Sequence, residues 1–170
     1  MRVKPLLSLL FAAALCWGSG LSSSAQEGTE VSTVEEAKRQ LQRDKELNDV
    51  KLIAQKAAIP SLSGENKFIL RESWWSGTIA PGKAKLIQVQ LFRRNEYQFW
   101  LAVPSRDAGV NLNVYDSEGK IIPAKTVPFE ESNLVSIIVE PELTGVYYVR
   151  LSLKTTIDRD QDWAVIYAYR

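Results

Sequence analysis

Histidine is absent from this 170-residue chain, and cysteine occurs only once, at Cys16. Without histidine, the chain cannot form a Ser-His or Cys-His catalytic pair or a histidine-based pH switch. A disulfide framework or a zinc-thiolate site needs several cysteines, so a single cysteine excludes both within one chain. These absences remove most enzyme classes.

The chain also lacks an excess of charge of either sign. It carries 21 Lys and Arg residues against 20 Asp and Glu residues. Removing residues 1–25, which contain Arg2 and Lys4 and no acidic residue, leaves 19 basic against 20 acidic residues. Because high affinity for phosphate depends on clustered basic residues, we expect no nucleic-acid partner.

The first 25 residues have the pattern of a secretory signal peptide. A basic start precedes an apolar run at residues 6–15, and small residues at 23–25 form a cleavage site. The apolar run is about ten residues, short of the roughly 20 that a membrane-spanning helix needs. We therefore predict cleavage before Gln26, no membrane span afterwards, and an exported protein that is periplasmic or secreted. A retained anchor and acylation at Cys16 are the alternatives.

Residues 26–60 are predicted to form a polar start and one charged helix. Ser32 with Glu35, or the pair one residue later, gives the capping-box spacing of a helix start. From there to Ala58 the chain has high helix propensity and no Gly or Pro. Its apolar stripe is thin and loses register after Leu41, which indicates a mostly solvated helix whose C-terminal half packs on the rest of the chain. A docking helix for another protein is the alternative.

Residues 61–170 are predicted to form an all-β domain. Short apolar stretches, several with period-two alternation, are separated by clusters of the turn formers Gly, Pro, Asn and Asp. About eight or nine strands with a turn signal roughly every ten residues predict an antiparallel β-sandwich of jelly-roll type. The predicted strands lie near 67–72, 74–79, 84–92, 96–103, 109–115, 120–126, 133–139, 146–154 and 162–169.

Two segments carry the clearest strand-and-turn patterns. In the first, the side chains of residues 110–115 point alternately to the two faces of a strand. Residues 116–119 (Asp-Ser-Glu-Gly) then reverse the chain. This pattern predicts a hairpin with the strand at 120–126. In the second, Gly145 permits a tight turn before a β-branched and aromatic strand at 146–151.

These segments and their neighbours resemble the bacterial pre-peptidase C-terminal (PPC) domain family, whose members are secreted β-sandwich accessory modules. The resemblance covers roughly residues 75–169. It implies a fold and an exported, non-catalytic binding role, and it implies calcium binding as a property of some members. The pieces that carry it, in the family's order, are 77–82, 97–102, 111–116, 145–151 and 162–165.

Four aromatic residues are candidates for a ligand-binding platform: Trp74, Trp75, Tyr167 and Tyr169. Flat aromatic faces stack on sugar rings and dominate many binding surfaces. Because adjacent strand residues point to opposite faces, at most one of Trp74 and Trp75 can lie in the core. The other is expected at an edge or under the helix. The alternative is that all of these side chains fill the sandwich and its ends.

Asp158, Asp160 and Asp162 are candidate calcium ligands, because carboxylates at alternate positions resemble part of a calcium loop. The segment lacks the Gly and the Glu that complete such a loop, so a charged hairpin turn is the other interpretation. Asn111 and Asn113 stand where the PPC family commonly has acidic residues, and neutral amides are weaker ligands for a hard cation. No other cofactor is predicted.

The sequence predicts an exported, non-enzymatic binding or assembly module whose partner is an envelope or secreted protein, or a polysaccharide. A carbohydrate-binding protein that uses exposed tryptophans on the same fold is the alternative, and the exposure of Trp74 and Trp75 separates the two. An enzyme is a third hypothesis, which would have to use carboxylates, Ser, Lys or Tyr alone. The paired carboxylates Glu140 and Glu142 flank Pro141 in a predicted turn, where solvated loop charges are expected.

Overall fold

The computed structural model describes residues 27–170, with side chains from Glu35 onward. The predicted signal peptide at residues 1–25 lies outside the described residues. The chain divides into two compact units between Ala37 and Lys38. The described part of the first unit is helical throughout, and the second unit contains the remainder of this helix and all the described strands.

One long helix, α1, precedes the strands. It spans Glu27–Ala58, and a 3-10 turn at Ile59–Leu62 follows it. The predicted start at Ser32 is therefore wrong, since the preceding residues contain no proline that would prevent an earlier start. The helix ends just before Pro60, because the residue ahead of a proline is disfavoured in the helical conformation. No helix in the described part of the chain is long and apolar enough to cross a membrane.

Nine strands follow α1 in the described part of the chain. Each overlaps one of the nine predicted strands, and the differences are confined to the strand ends. The observed bounds are β1 Ile69–Leu70, β2 Trp75–Ile79, β3 Ala84–Leu91, β4 Tyr97–Ala102, β5 Gly109–Tyr115, β6 Ala124–Val127, β7 Leu134–Val139, β8 Gly145–Lys154 and β9 Gln161–Tyr169.

The strands form two antiparallel sheets. Sheet A has the order β1-β9-β4-β7-β6, with β2 pairing β9 along the same edge as β1. Sheet B has the order β3-β8-β5. One hydrophobic cluster contains inward side chains from both sheets, such as Val89 and Val149 of sheet B and Phe99 and Val165 of sheet A. This arrangement is consistent with the predicted all-β sandwich.

The hairpin predicted after β5 is present only at its turn. Tyr115 and Ile121 form an isolated bridge around that turn, and the chain then leaves sheet B and pairs as β6 with β7 in sheet A. Pro123 has no N–H with which to continue a ladder beside β5, which favours the change of sheet at this point. The predicted pairing of 109–115 with 120–126 is therefore wrong beyond Ile121.

Strands β4 and β9 at the centre of sheet A are buried on both faces. Their inward side chains, including Phe99 and Tyr167, enter the core between the two sheets. Their outward side chains, including Trp100 and Ile166, belong to a second hydrophobic cluster on the other face of sheet A. Strands buried on both faces are apolar at nearly every position, which is the pattern of these two segments.

The C-terminal half of α1 covers the outer face of sheet A, as predicted. Val50, Ala54 and Ala58 are buried in the same cluster as Trp100 and Ala164. Small side chains on both the helix and β9 let the helix backbone approach the sheet closely. Full burial of Trp100, which has no exposed surface, stabilises this layer by about 4–6 kcal/mol as an upper figure.

We expect Ala54→Leu to lower the free energy of unfolding by about 1–3 kcal/mol, because a larger side chain overpacks the contact between α1 and sheet A. Asn48→Leu puts the same side chain on an exposed position of α1 and should change the free energy by less than about 0.5 kcal/mol. Chemical denaturation measures both values. Equal effects of the two variants would contradict the packing of the helix on the sheet.

Candidate binding site at one end of the sandwich

Three turns and Arg170 meet at one end of the sandwich, which we call the loop end. The turns are residues 92–96 between β3 and β4, 116–123 between β5 and β6, and 140–144 between β7 and β8. Each turn crosses from one sheet to the other. The turns lie together because β3, β8 and β5 are antiparallel neighbours in sheet B, and β4, β7 and β6 are antiparallel neighbours in sheet A. Each turn carries an exposed apolar side chain, and hydrogen bonds hold each turn in place.

The β3–β4 turn is held from below by Tyr97. The backbone N–H of Phe92 and the side-chain amide of Asn95 both donate to the Tyr97 hydroxyl, at 3.0 and 3.2 Å. The N–H of Arg93 donates to Oγ1 of Thr144 at 3.0 Å, which joins this turn to the β7–β8 turn. Tyr97 itself is buried, so a rigid side chain fixes the position of Phe92.

Arg94 gives this turn a strained backbone. Its φ of 69° makes it the one non-glycine residue with a positive φ among the described residues. The left-handed conformation costs an L-residue with a Cβ roughly 1–2 kcal/mol. The surrounding hydrogen bonds, such as that from the Arg93 N–H, hold the turn in this shape.

The β5–β6 turn is closed by Asp116, and the predicted reversal at this sequence is confirmed. One oxygen of the Asp116 carboxylate accepts hydrogen bonds from the backbone N–H groups of Glu118 and Lys120, at 3.0 and 2.9 Å. Gly119 adopts a φ of 81°, which a glycine reaches without strain. The turn presents Ile121, which is 52% exposed.

The β7–β8 turn is held by a second tyrosine. The Tyr147 hydroxyl donates to the backbone carbonyl of Leu143 at 2.8 Å, and Pro141 at the start of the turn is buried. The Leu143 side chain is nevertheless 69% exposed. As in the β3–β4 turn, a buried ring anchors the backbone while the apolar side chain of the turn points to solvent.

Arg170 ties the β3–β4 turn to the segment before β1. Its backbone N–H and C=O pair with those of Glu96, both at 3.0 Å, and its Nε donates to the Glu96 carboxylate. Nη1 donates to the carbonyl of Asn66 at 2.7 Å. The guanidinium also lies 4.3 Å from the ring centre of Phe68. The Glu96 carboxylate is therefore neutralised within the fold.

A cavity of about 450 Å³ opens between the β5–β6 and β7–β8 turns. Its size lies in the range of ligand-binding pockets. Apolar lining comes from Ile121, Ile122, Ile138 and Leu143. Charged lining comes from Lys120, Lys125, Glu140 and Glu142, whose side chains make no hydrogen bond or ion pair with any other described residue. The cavity therefore combines an apolar wall with a rim of balanced charge.

A smaller pocket of about 200 Å³ lies beside the β3–β4 turn. The Arg71 guanidinium lies 5.6 Å from the ring centre of Tyr169. Hydrogen bonding to the Tyr167 hydroxyl is the main cause that raises the pKa of Arg71 above its usual value. The pocket therefore joins a permanent cation to aromatic walls. Its lining residues are Arg71, Gln90, Phe92, Asn95, Tyr97, Tyr167 and Tyr169.

The four predicted aromatic candidates do not share one surface. Trp75 packs on the inner side of sheet A, with its ring centre 5.1 Å from that of Tyr167. Trp74 belongs to the cluster on the opposite face, where Nζ of Lys51 from α1 lies 4.3 Å from its ring centre. Both tryptophans are half-buried. Tyr167 and Tyr169 line the smaller pocket, so the structure brings Trp75 and the two tyrosines together and separates Trp74 from them.

The three predicted calcium ligands lie at the opposite end of the sandwich, where β9 begins. Asp158 and Asp160 are exposed, whereas the Asp162 carboxylate forms an ion pair with Arg43 of α1 at 3.2 Å. Among the residues with described side chains, no three acidic groups come together in a way that could hold a metal ion. Calcium binding by this segment stays a prediction.

Phe92, Ile121 and Leu143 are not among the sequence candidates, because each stands alone in a turn. One signal was available for Phe92. Since Leu91 points into the core, the next residue is a large aromatic at a position where the alternation predicts a polar side chain. The three turns that carry these residues meet because of the order of the strands in the two sheets. No local sequence pattern predicts that order.

Comparisons with models of known protein families and with curated proteins find no match to this chain.

We expect Arg94→Gly to raise the free energy of unfolding by about 1 kcal/mol, because glycine adopts this φ without strain. Arg93→Gly should instead lower the free energy of unfolding by about 0.5–1 kcal/mol. At that position glycine relieves no strain and only increases the conformational entropy of the unfolded chain. The pair is matched, because each variant removes one arginine from the same turn. Destabilisation by Arg94→Gly in urea denaturation would contradict the strained turn.

Proposed function

We propose that this chain is an exported, non-enzymatic binding module that attaches to a protein partner through the loop end. One observation carries this proposal. Phe92, Ile121 and Leu143 are 53%, 52% and 69% exposed, and they come from three neighbouring turns. Ile121 and Leu143 line the cavity of about 450 Å³, and Phe92 lines the smaller pocket. The apolar side chains would enter the partner's surface, and the cavity would receive a side chain of the partner.

The clustering of these side chains is what distinguishes them. Single exposed apolar residues are normal on a soluble protein, whereas a contiguous group marks an interaction site. Ile121 and Leu143 line the same cavity. The hydrogen bond from Arg93 to Thr144 brings the turn that carries Phe92 beside the turn that carries Leu143.

Rigidity of the three turns also favours a binding role. Tyr97 and Tyr147 anchor two of the turns, and Asp116 closes the third. Binding costs less free energy when the contacting segments are ordered beforehand. A rigid sandwich that presents ordered loops is a common arrangement in binding proteins.

The charges around the apolar side chains favour a protein partner. Lys120 and Lys125 line the same cavity as Glu140 and Glu142, so charges of both signs lie close together. An apolar centre with a rim of mixed charge is typical of a protein–protein interface. A nucleic acid or an anionic membrane would require an excess of basic residues.

The resemblance to PPC domains supports the same role. The five pieces that carry it fall on β2, β4, β5, β8 and β9 together with their adjoining turns. Every connection from β2 to β9 except β6–β7 crosses between the sheets, which supports the proposed jelly-roll connectivity. Export remains part of the proposal, and it depends on the signal-like sequence at residues 1–25.

A photo-cross-linking amino acid in place of Leu143 tests this proposal in the producing cell. Leu41 provides the matched control, since it is a leucine of similar exposure, 73% against 69%, on α1. We expect a discrete protein adduct from position 143 and none from position 41. Phe92→Ser, on the neighbouring turn, should reduce the yield of that adduct about tenfold or more, because central apolar contacts dominate interface energies.

Two results would contradict the proposal. An adduct from position 41 without one from position 143 would make α1 the docking element. An adduct from position 143 that Phe92→Ser leaves unchanged would mean that the neighbouring turns do not act as one surface. The folded state of each variant is checked by its thermal unfolding transition.

A further inference from the structure

The outer face of sheet B is a second surface, distinct from the loop end. Side chains of β3, β8 and β5 alternate between the core and the outside. The strand register aligns the outward side chains in rows that cross all three strands. One row is Gln88, Tyr148 and Tyr115, and the next is Leu86, Arg150 and Asn113.

The register aligns the members of each row across the three strands. Gln88 is the Cα partner of Tyr148, which is also the partner of Tyr115. Because neighbouring strands lie about 4.8 Å apart, each row spans roughly 10 Å. The second row is displaced by two residues along each strand, so both rows lie on the same face.

This face is open within the second unit of the chain. Gln88 and Leu86 are exposed, and the other four side chains are partly exposed. The helix packs on sheet A and not here. Within the described part of the molecule, the side chains of Gln88, Tyr115, Tyr148 and Arg150 make no hydrogen bond, ion pair or ring contact. Their polar groups and rings are therefore available to a ligand.

The side chains of the two rows favour an uncharged, polar ligand. Charged residues make up 24% of the chain, yet Arg150 is the one charged side chain among the six. A highly charged partner would therefore find little opposite charge, and an apolar partner would find only Leu86. Amide and phenol groups instead match the hydroxyls of sugars, and tyrosine rings stack on the C–H faces of sugar rings.

We propose that the outer face of sheet B binds a neutral polysaccharide in an extended conformation. The sugar rings lie across the row formed by Gln88, Tyr148 and Tyr115, and Asn113 and Arg150 donate hydrogen bonds to sugar hydroxyls from the next row. The Asn113 amide also donates to Asn111 at 3.4 Å, which orients these two amides along β5. This surface shares no residue with the loop end, so either proposal can fail alone.

Depletion of the exported protein by insoluble cellulose and by insoluble chitin tests the proposal. We expect saturable binding to at least one of them, and about tenfold weaker binding for Tyr148→Thr, which removes the ring but keeps the strand propensity. Tyr148→Phe keeps the ring and should retain most of the affinity. Gln88→Ala, at an exposed position, provides a second variant whose folding is not at risk.

Controls separate this surface from the others. Phe92→Ser at the loop end should leave polysaccharide binding unchanged. Raising the salt from about 0.05 M to about 1 M should also leave it unchanged, because a neutral ligand is not screened. The proposal is overturned by no saturable binding to either polymer, by equal binding of Tyr148→Thr and wild type, or by a steep loss of binding in salt, which would indicate ion exchange through Arg150.

Discussion

The burial of β9 on both of its faces is the constraint on which the rest of the structure depends. β9 pairs with β1 and β2 along one edge and with β4 along the other. Its inward residues, Trp163, Val165 and Tyr167, fill the core between the sheets. Its outward residues Ala164 and Ala168 are small, and α1 covers them. One strand therefore connects the helix, sheet A and the core.

The same strand contributes to the position of both proposed binding surfaces. Arg170, directly after β9, binds Glu96 and so holds the β3–β4 turn. These bonds restrain the loop end against the central strand. The inward rings of β9 pack in the core between the two sheets, against the inner face of sheet B. Because α1 packs on sheet A, no other element of the second unit covers the outer face of sheet B. If both proposals hold, the two separate surfaces would let this module join a protein partner to a polysaccharide.

The sequence predictions were accurate where a feature depends on neighbouring residues, and they failed where it depends on residues that are distant in the chain. In β8, inward positions such as Val149 alternate with partly exposed ones, so period and turn residues together predict the strand. The predicted start of α1 was wrong because helix propensity is only a weak guide to where a helix begins. The predicted pairing of β6 with β5 was wrong because β6 pairs with β7 instead. The turns that carry Phe92 and Leu143 meet because of the order of the strands. No local sequence pattern predicts that order.

The second half of α1 is a layer of the fold, because it shares one hydrophobic cluster with the outer face of sheet A. Native-state hydrogen exchange tests it most directly. The account predicts that amides from Val50 to Ala58 are protected to within about tenfold of those in β9, because the two segments share one hydrophobic cluster. Amides from Lys38 to Asp49 should exchange much faster. Rapid exchange throughout α1 beside a protected β9 would show a detachable helix and contradict the account.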